Sequence, residues 1–190
     1  EAIGLYKYDL TLVDSISFST QNTDISSGRK TDGNSEWALF PQATPGKSNG
    51  TGIYSGIVKS DPSFSLKGGV YEQPITLTIK SIFGGVVRYT LDGTEPNGQS
   101  PHAGSPISID KNTVVRARIF KEGQIPGPVN TSTYLINSNH DIGNLPIVCI
   151  SSDPVNFWDP VKGIYVPHDS KPDWEIPVNI ELYENDGRSE

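Results

Sequence analysis

A single cysteine, no long apolar run and no cluster of basic residues set the first limits on this chain of 190 residues. With Cys149 alone, no internal disulfide can form. No stretch approaches the roughly 20 apolar residues needed to span a bilayer as a helix. Lysines and arginines are scattered singly and the formal charge is −7. A phosphate backbone calls for a basic stripe, so nucleic acid is disfavoured as a partner. An anionic membrane surface is disfavoured on the same ground, and no membrane insertion is expected. The opening Glu1-Ala2-Ile3-Gly4-Leu5 has neither the basic front nor the apolar core of a signal peptide, and reads as the start of an excised piece.

Also missing is any sustained 3.6-residue apolar period. In its place, 19 Gly and 15 Pro punctuate short runs of Val, Ile, Thr, Tyr and Phe. That pattern predicts an all-β chain, an Ig-like or fibronectin-III-like β-sandwich with extra strands at both ends and scarce helix.

Residues 1–48 alternate well. Gly4 to Tyr8 and Leu12 to Phe18 read as strands around a turn at Asp9, followed by a loop from Asp24 to Gly33 and a strand at Trp37 to Phe40. So few strands bury too little to be stable alone. Residues 49–61 are Gly-rich and read as a solvated link. From 62 to 136 the strand rhythm is clearest, with candidates at Ser63–Leu66, Ile75–Lys80, Val86–Leu91, Ile107–Ile109, Thr113–Phe120 and Thr131–Ile136. Residues 140–190 supply further strands at Leu145–Ser151, Gly163–Val166 and Val178–Tyr183, with turns at Asp153-Pro154 and Asp159-Pro160.

Little in the polar residues points to catalysis. Asp92 and Glu95 sit on a turn, where side-chain capping explains Asp92 and Pro96 restrains Glu95. Glycoside hydrolysis needs two carboxyl groups about 5–9.5 Å apart across a cleft. Glu175, Glu181 and Glu184 read as a solvated strand face. His102, His140 and His168 are far apart in sequence, and Asp24 and Asp32 lack the spacing of an EF-hand calcium loop. Gly68-Gly69 and Gly84-Gly85 join strands without the Lys-Ser/Thr partner of a phosphate loop. Cys149 lies in an apolar run and reads as an inert buried thiol. No catalytic, metal or cofactor residue is therefore assigned. Aromatic residues near turns leave one binding chemistry open, stacking on a sugar ring. Trp158, Trp174, Tyr54 and Tyr71 are the candidates, whereas Trp37 reads as core.

Residues 62–136 resemble the C-terminal domain of chitobiase and β-hexosaminidase. The match rests on Gly69-Val70-Tyr71, Arg88-Tyr89-Thr90-Leu91-Asp92-Gly93-Thr94-Glu95-Pro96, Thr113-Val114-Val115-Arg116-Ala117 and Thr131-Ser132-Thr133-Tyr134-Leu135. The resemblance implies an accessory Ig-like sandwich whose hydrolytic site lies in another domain. Ile3-Gly4-Leu5-Tyr6, Leu12 to Phe18, Asp24 to Arg29, Ser35-Glu36-Trp37 and Thr44-Pro45-Gly46 resemble the C-terminal part of a lamin-tail domain. Leu145-Pro146-Ile147-Val148, Phe157-Trp158-Asp159, Gly163 to Val166, Trp174 to Pro177 and Glu181-Leu182-Tyr183 resemble the opening of a CotH-like kinase domain, without the residues that would bind nucleotide or metal.

Together these resemblances imply an accessory region of a secreted or cell-surface bacterial multidomain protein, positioning neighbouring domains. A carbohydrate-binding module of a polysaccharide-degrading exoprotein and the N-terminal part of a CotH-like surface kinase stay open as alternatives. The expected partners are neighbouring domains and, on the second reading, polysaccharide.

Overall fold

The computed structural model describes residues 1–18, 20–49, 52–136, 145–167 and 175–184. The chain divides into two compact units, Glu1–Gly56 and Ile57–Glu190.

The first unit is two hairpins. Strands β1 (Ala2–Tyr6) and β2 (Leu12–Ser17) pair antiparallel, with Ile3 opposite Ile16 and Leu5 opposite Asp14. Asp9 holds the intervening turn by accepting the Thr11 N–H. Strands β3 (Ser26–Arg29) and β4 (Trp37–Phe40) form the second hairpin. The sequence reading placed residues 26–29 in a loop. Polar composition concealed β3, most of whose residues are nonetheless half-buried. Arg29 joins the hairpins through a bidentate pair with Asp14 at 2.7 and 2.8 Å. The same guanidinium lies over the Trp37 ring at 5.5 Å. Trp37, expected in the core, is 43% exposed. Ala38 and Phe40 take the buried positions instead.

The second unit opens with β5 (Gly56–Ile57) at the junction, then β6 (Ser63–Phe64), β7 (Gly69–Tyr71), β8 (Ile75–Leu77), β9 (Ile79–Lys80) and β10 (Val86–Thr90). It continues through β11 (Ile107–Ile109), β12 (Thr113–Phe120), β13 (Gln124–Ile125) and β14 (Asn130–Ile136). One layer of the sandwich is the sheet β10-β12-β14-β7, antiparallel except for the parallel β14–β7 pair. The pairs β6–β9 and β8–β11 supply the facing layer. Thr78 separates β8 from β9, its N–H turned to the Ser65 hydroxyl.

The alternation in β12 sets the core. Thr113, Val115, Ala117 and Ile119 point inward, and Val114, Arg116, Arg118 and Phe120 outward. They meet Leu77, Ile79, Val87, Ile107, Ile109, Tyr134 and Ile136. Each such aliphatic side chain contributes about 1.5–3 kcal/mol by leaving water. Val58 belongs to the same core at 3% exposure, and its N–H donates to Ile125. Pro62 is fully buried. The sandwich thus begins inside the stretch that composition marks as a link.

The last segment contains β15 (Ile147–Ser151), a five-residue helix α1 (Pro154–Trp158) and β16 (Asn179–Tyr183). Strands β15 and β16 pair antiparallel, Cys149 facing Glu181 and Ile150 facing Ile180. Asp153 caps α1 by accepting the Val155 N–H, with Pro154 at the first helical position, where its missing N–H costs nothing. Gly163–Val166, expected as a strand, is a turn folded back over α1. The apolar run Leu145 to Ile150, read as a buried strand, is half-covered on one face only. Val148 and Ile150 are exposed.

Candidate functional site

Three places in the second unit gather polar or aromatic side chains: the turn after β10, the seam between β14 and β16, and the surface of α1.

At the first, Asp92 accepts the Thr94 N–H at 3.1 Å and the Thr94 hydroxyl at 2.6 Å. Those bonds hold its carboxyl below the usual range. Gly93 takes φ +82°, a backbone conformation that a residue with a side chain would resist. Glu95 pairs with Arg118 at 2.7 Å. Both carboxylates are therefore engaged in shaping the turn and covering β12, as their sequence positions imply. Arg116 donates to the Gly93 carbonyl, tying the turn to the sheet.

The seam is built differently from its sequence expectation. Glu181, read as part of a solvated strand face, is half-buried and turned toward the sandwich. Its carboxylate accepts the Thr133 N–H at 3.1 Å and the Thr133 hydroxyl at 2.6 Å. The Tyr183 hydroxyl lies 2.6 Å from the same carboxylate and 3.0 Å from the Thr133 carbonyl. Burial, first, and then the hydrogen bond to Glu181 push the Tyr183 phenol well above its ordinary value. Gly68 makes this approach possible, because a Cβ there would run into the Tyr183 hydroxyl, the Thr133 carbonyl and Glu181. A second tether joins the same two regions, the Glu95 N–H donating to Asp153 at 2.7 Å. Beside the seam is an open groove of about 530 Å³, whose lining includes Asp61, Phe64, Lys67, Asn130, Glu181 and Tyr183.

On the surface of α1, Trp158 is 64% exposed. Its ring centroid lies 5.2 Å from that of Tyr165, tilted by 35°. Phe157 stacks on Tyr165 at 5.7 Å and 21°.

The four aromatic candidates part company here. Trp158 is open to solvent. Tyr71 is half-buried against the core, with its hydroxyl donating to the Lys67 carbonyl and its ring 6.1 Å from Tyr134. Tyr54 is half-buried in the first unit, exchanging both backbone hydrogen bonds with Leu39. Trp174 lies outside the described residues. Within the second unit, Tyr71 sits on β7 and Trp158 on α1. The sequence reading missed Tyr165 because Gly163–Val166 has the composition of a strand. The missed signal was Gly163, where a Cβ would meet backbone atoms of Phe157 and Asp159.

Elsewhere, Asp32 is engaged by Ser48 and Asn49. His102 bridges to Arg88 through the backbone, and His140 and His168 lie outside the described residues. Cys149 is half-buried, and burial raises its thiol, so the reactive thiolate is disfavoured. Among the described residues, no three His, Cys, Asp or Glu side chains gather as a metal site would need, and no helix is long and apolar enough to cross a membrane.

Comparison with known proteins places one family on this frame. Residues 66–131 match the family model for the chitobiase/beta-hexosaminidase C-terminal domain, a non-catalytic Ig-like domain. The matched span runs from the edge of β7 to the start of β14, within the sandwich. No curated protein and no solved structure matches the chain.

Proposed function

We propose that this chain is an accessory region of a secreted or cell-surface bacterial protein, and that its sandwich holds neighbouring domains at a set geometry. The observation that carries this reading is the seam. A spacer that merely separated its neighbours would need no bonds to the segment that follows it. Here Thr133 of β14 holds Glu181 and Tyr183 of β16, and Glu95 holds Asp153, so the last segment shares the sandwich's frame. Whatever the chain continues into would inherit that orientation.

On this reading residues 1–48 are the C-terminal strands of a lamin-tail-like domain, and residues 140–190 open a CotH-like domain. The exposed aliphatic face of β15–β16, formed by Val148, Ile150 and Ile180, supports the second assignment, since such a face suits the interior of a larger sheet. Export is supported by the family of the sandwich, whose members occur in extracellular glycoside hydrolases.

Hydrogen exchange on the 190-residue chain tests the reading. Amides of β15 and β16 should exchange in step with those of β12 and β14, as one cooperative unit. Exchange of β15–β16 at the rate of an unstructured peptide, with the sandwich protected, would show that orientation is not transmitted.

A further inference from the structure

Strand β1 leaves one edge of its hairpin open. Glu1 exchanges backbone hydrogen bonds with Phe18 at 2.9 and 3.1 Å, and the Lys7 N–H donates to the Thr11 carbonyl at 2.9 Å. The backbone groups of Glu1 and Lys7 therefore face β2. Alternation along the strand turns those of Ala2, Gly4 and Tyr6 outward, where they meet no partner among the described residues.

The opposite edge of the hairpin is guarded. On β2 the Ser15 N–H, which faces away from β1, donates to the Asp14 carboxylate at 2.9 Å, and Arg29 holds that carboxylate in place. A charged side chain on an edge is a usual bar to an added strand. Strand β1 carries neither charge nor proline between Ala2 and Tyr6, and Ile3, Leu5 and Tyr6 are each more than half exposed. A row of unpaired amides and carbonyls calls for another extended backbone, not for a helix or a lipid surface.

Which strand fits is decided by the order of residues about Gly4. Laid antiparallel on a second copy with Gly4 opposite Gly4, β1 sets Ala2 against Tyr6 and Ile3 against Leu5 in both directions. The outward backbone groups of Ala2, Gly4 and Tyr6 then bond to their counterparts. In the same register Glu1 stands opposite Lys7 at each end. Neither side chain has an ion-pair partner in its own chain among the described residues. Opposite charges and apolar pairs directly across two strands are favourable. Here they fall at the non-hydrogen-bonded positions, where side chains come closest. A slip of two residues either way sets Glu1 against Leu5 or Lys7 against Ile3, and the ion pairs are lost.

We propose that two copies of this chain pair through β1, antiparallel about Gly4, and join their hairpins into one sheet. The contact is isologous and closes at two copies, because the β2 edges are guarded. It stands apart from the positioning role, which rests on the second unit.

Sedimentation velocity of the 190-residue chain from about 5 to 500 µM tests it, with a monomer–dimer equilibrium of dissociation constant about 100 µM or tighter expected. Leu5→Lys should weaken dimerisation by about tenfold or more, with circular dichroism unchanged. Glu1→Lys and Lys7→Glu each set like charges opposite one another, and each should weaken it by about tenfold. Mixed together, these two variants regain both ion pairs in every mixed dimer, so the mixture should associate as the wild type does. A variant weakened merely by misfolding would gain nothing from the other. The proposal is overturned by a chain that stays monomeric, by association beyond the dimer, or by a mixture no stronger than either variant alone. Self-association that Leu5→Lys leaves intact and Ile150→Lys abolishes would overturn it as well, placing the contact on β15–β16.

Discussion

The Glu181 carboxylate accepts both the N–H and the hydroxyl of Thr133, so one side chain of β16 occupies two donors of a single residue in β14. Hydrogen bonds to a charged partner are worth about 1.5–3 kcal/mol each when one side is removed. Glu181→Ala should therefore lower unfolding stability by about 2 kcal/mol, read by urea denaturation. Thr133→Val should cost a similar amount, and the double variant less than the sum, because both remove one network. Additive losses in that cycle would mean the two residues are not coupled.

Gly68 is tested by size. A methyl group there meets the Tyr183 hydroxyl, so Gly68→Ala should destabilise by about 1–3 kcal/mol. Tyr183→Phe removes the oxygen that the methyl group meets, and in the Gly68→Ala background it should recover part of the loss. A double variant no better than Gly68→Ala alone would place the clash on the Thr133 carbonyl instead.

The alkaline limb of stability carries the signature of two phenols. Tyr134 and Tyr183 are both raised in the folded chain, chiefly by burial. Below about pH 10, the ordinary tyrosine value, both states keep these protons and the contribution is complete. As pH climbs past that value the unfolded chain releases them first, so stability falls toward the folded values. Denaturation midpoints from pH 8 to 11 should therefore drop in the wild type, and less steeply in Tyr183→Phe. Parallel curves for the two proteins would remove Tyr183 as a source.

A buried and an exposed aliphatic side chain should respond differently. Ile119→Ala empties a fully buried site in β12 and should cost about 2–5 kcal/mol. Ile150→Ser changes a residue that is 63% exposed and should stay within about 0.5 kcal/mol. A large loss at Ile150 would show that the face is covered in solution, and sedimentation of the same variant would identify self-association as the cause.

Much of the sandwich was readable residue by residue. The inward alternation of Thr113, Val115, Ala117 and Ile119 is a period of two, and Asp92-Gly93 announces its turn through side-chain capping and positive φ. Harder positions were those where composition and environment part. Ser26–Arg29 forms a strand because its partner Trp37–Phe40 offers backbone bonds and an apolar side, not because its own residues favour one. Trp37 stays partly exposed, and the Arg29 guanidinium lies over its ring. Gly163–Val166 has strand composition yet folds over α1, held by the N–H groups of Gly163, Ile164 and Tyr165 on the Asp159, Asn156 and Phe157 carbonyls, with glycine at the point where a Cβ would meet that backbone.

Short-range rules reach as far as pattern and turn chemistry extend, and these made the chain β-rich, placed its core strands and assigned Asp92 and Glu95 to a bend. Which carboxylate would leave water was a different kind of fact. Glu181 sits 48 residues from Thr133, and no local period distinguishes it from Glu175 or Glu184. Nor does sequence say that Tyr165 stands beside Trp158. Both pairings arise when distant strands and turns are brought together, because burial and hydrogen-bond partnership are properties of the assembled surroundings rather than of a residue and its neighbours.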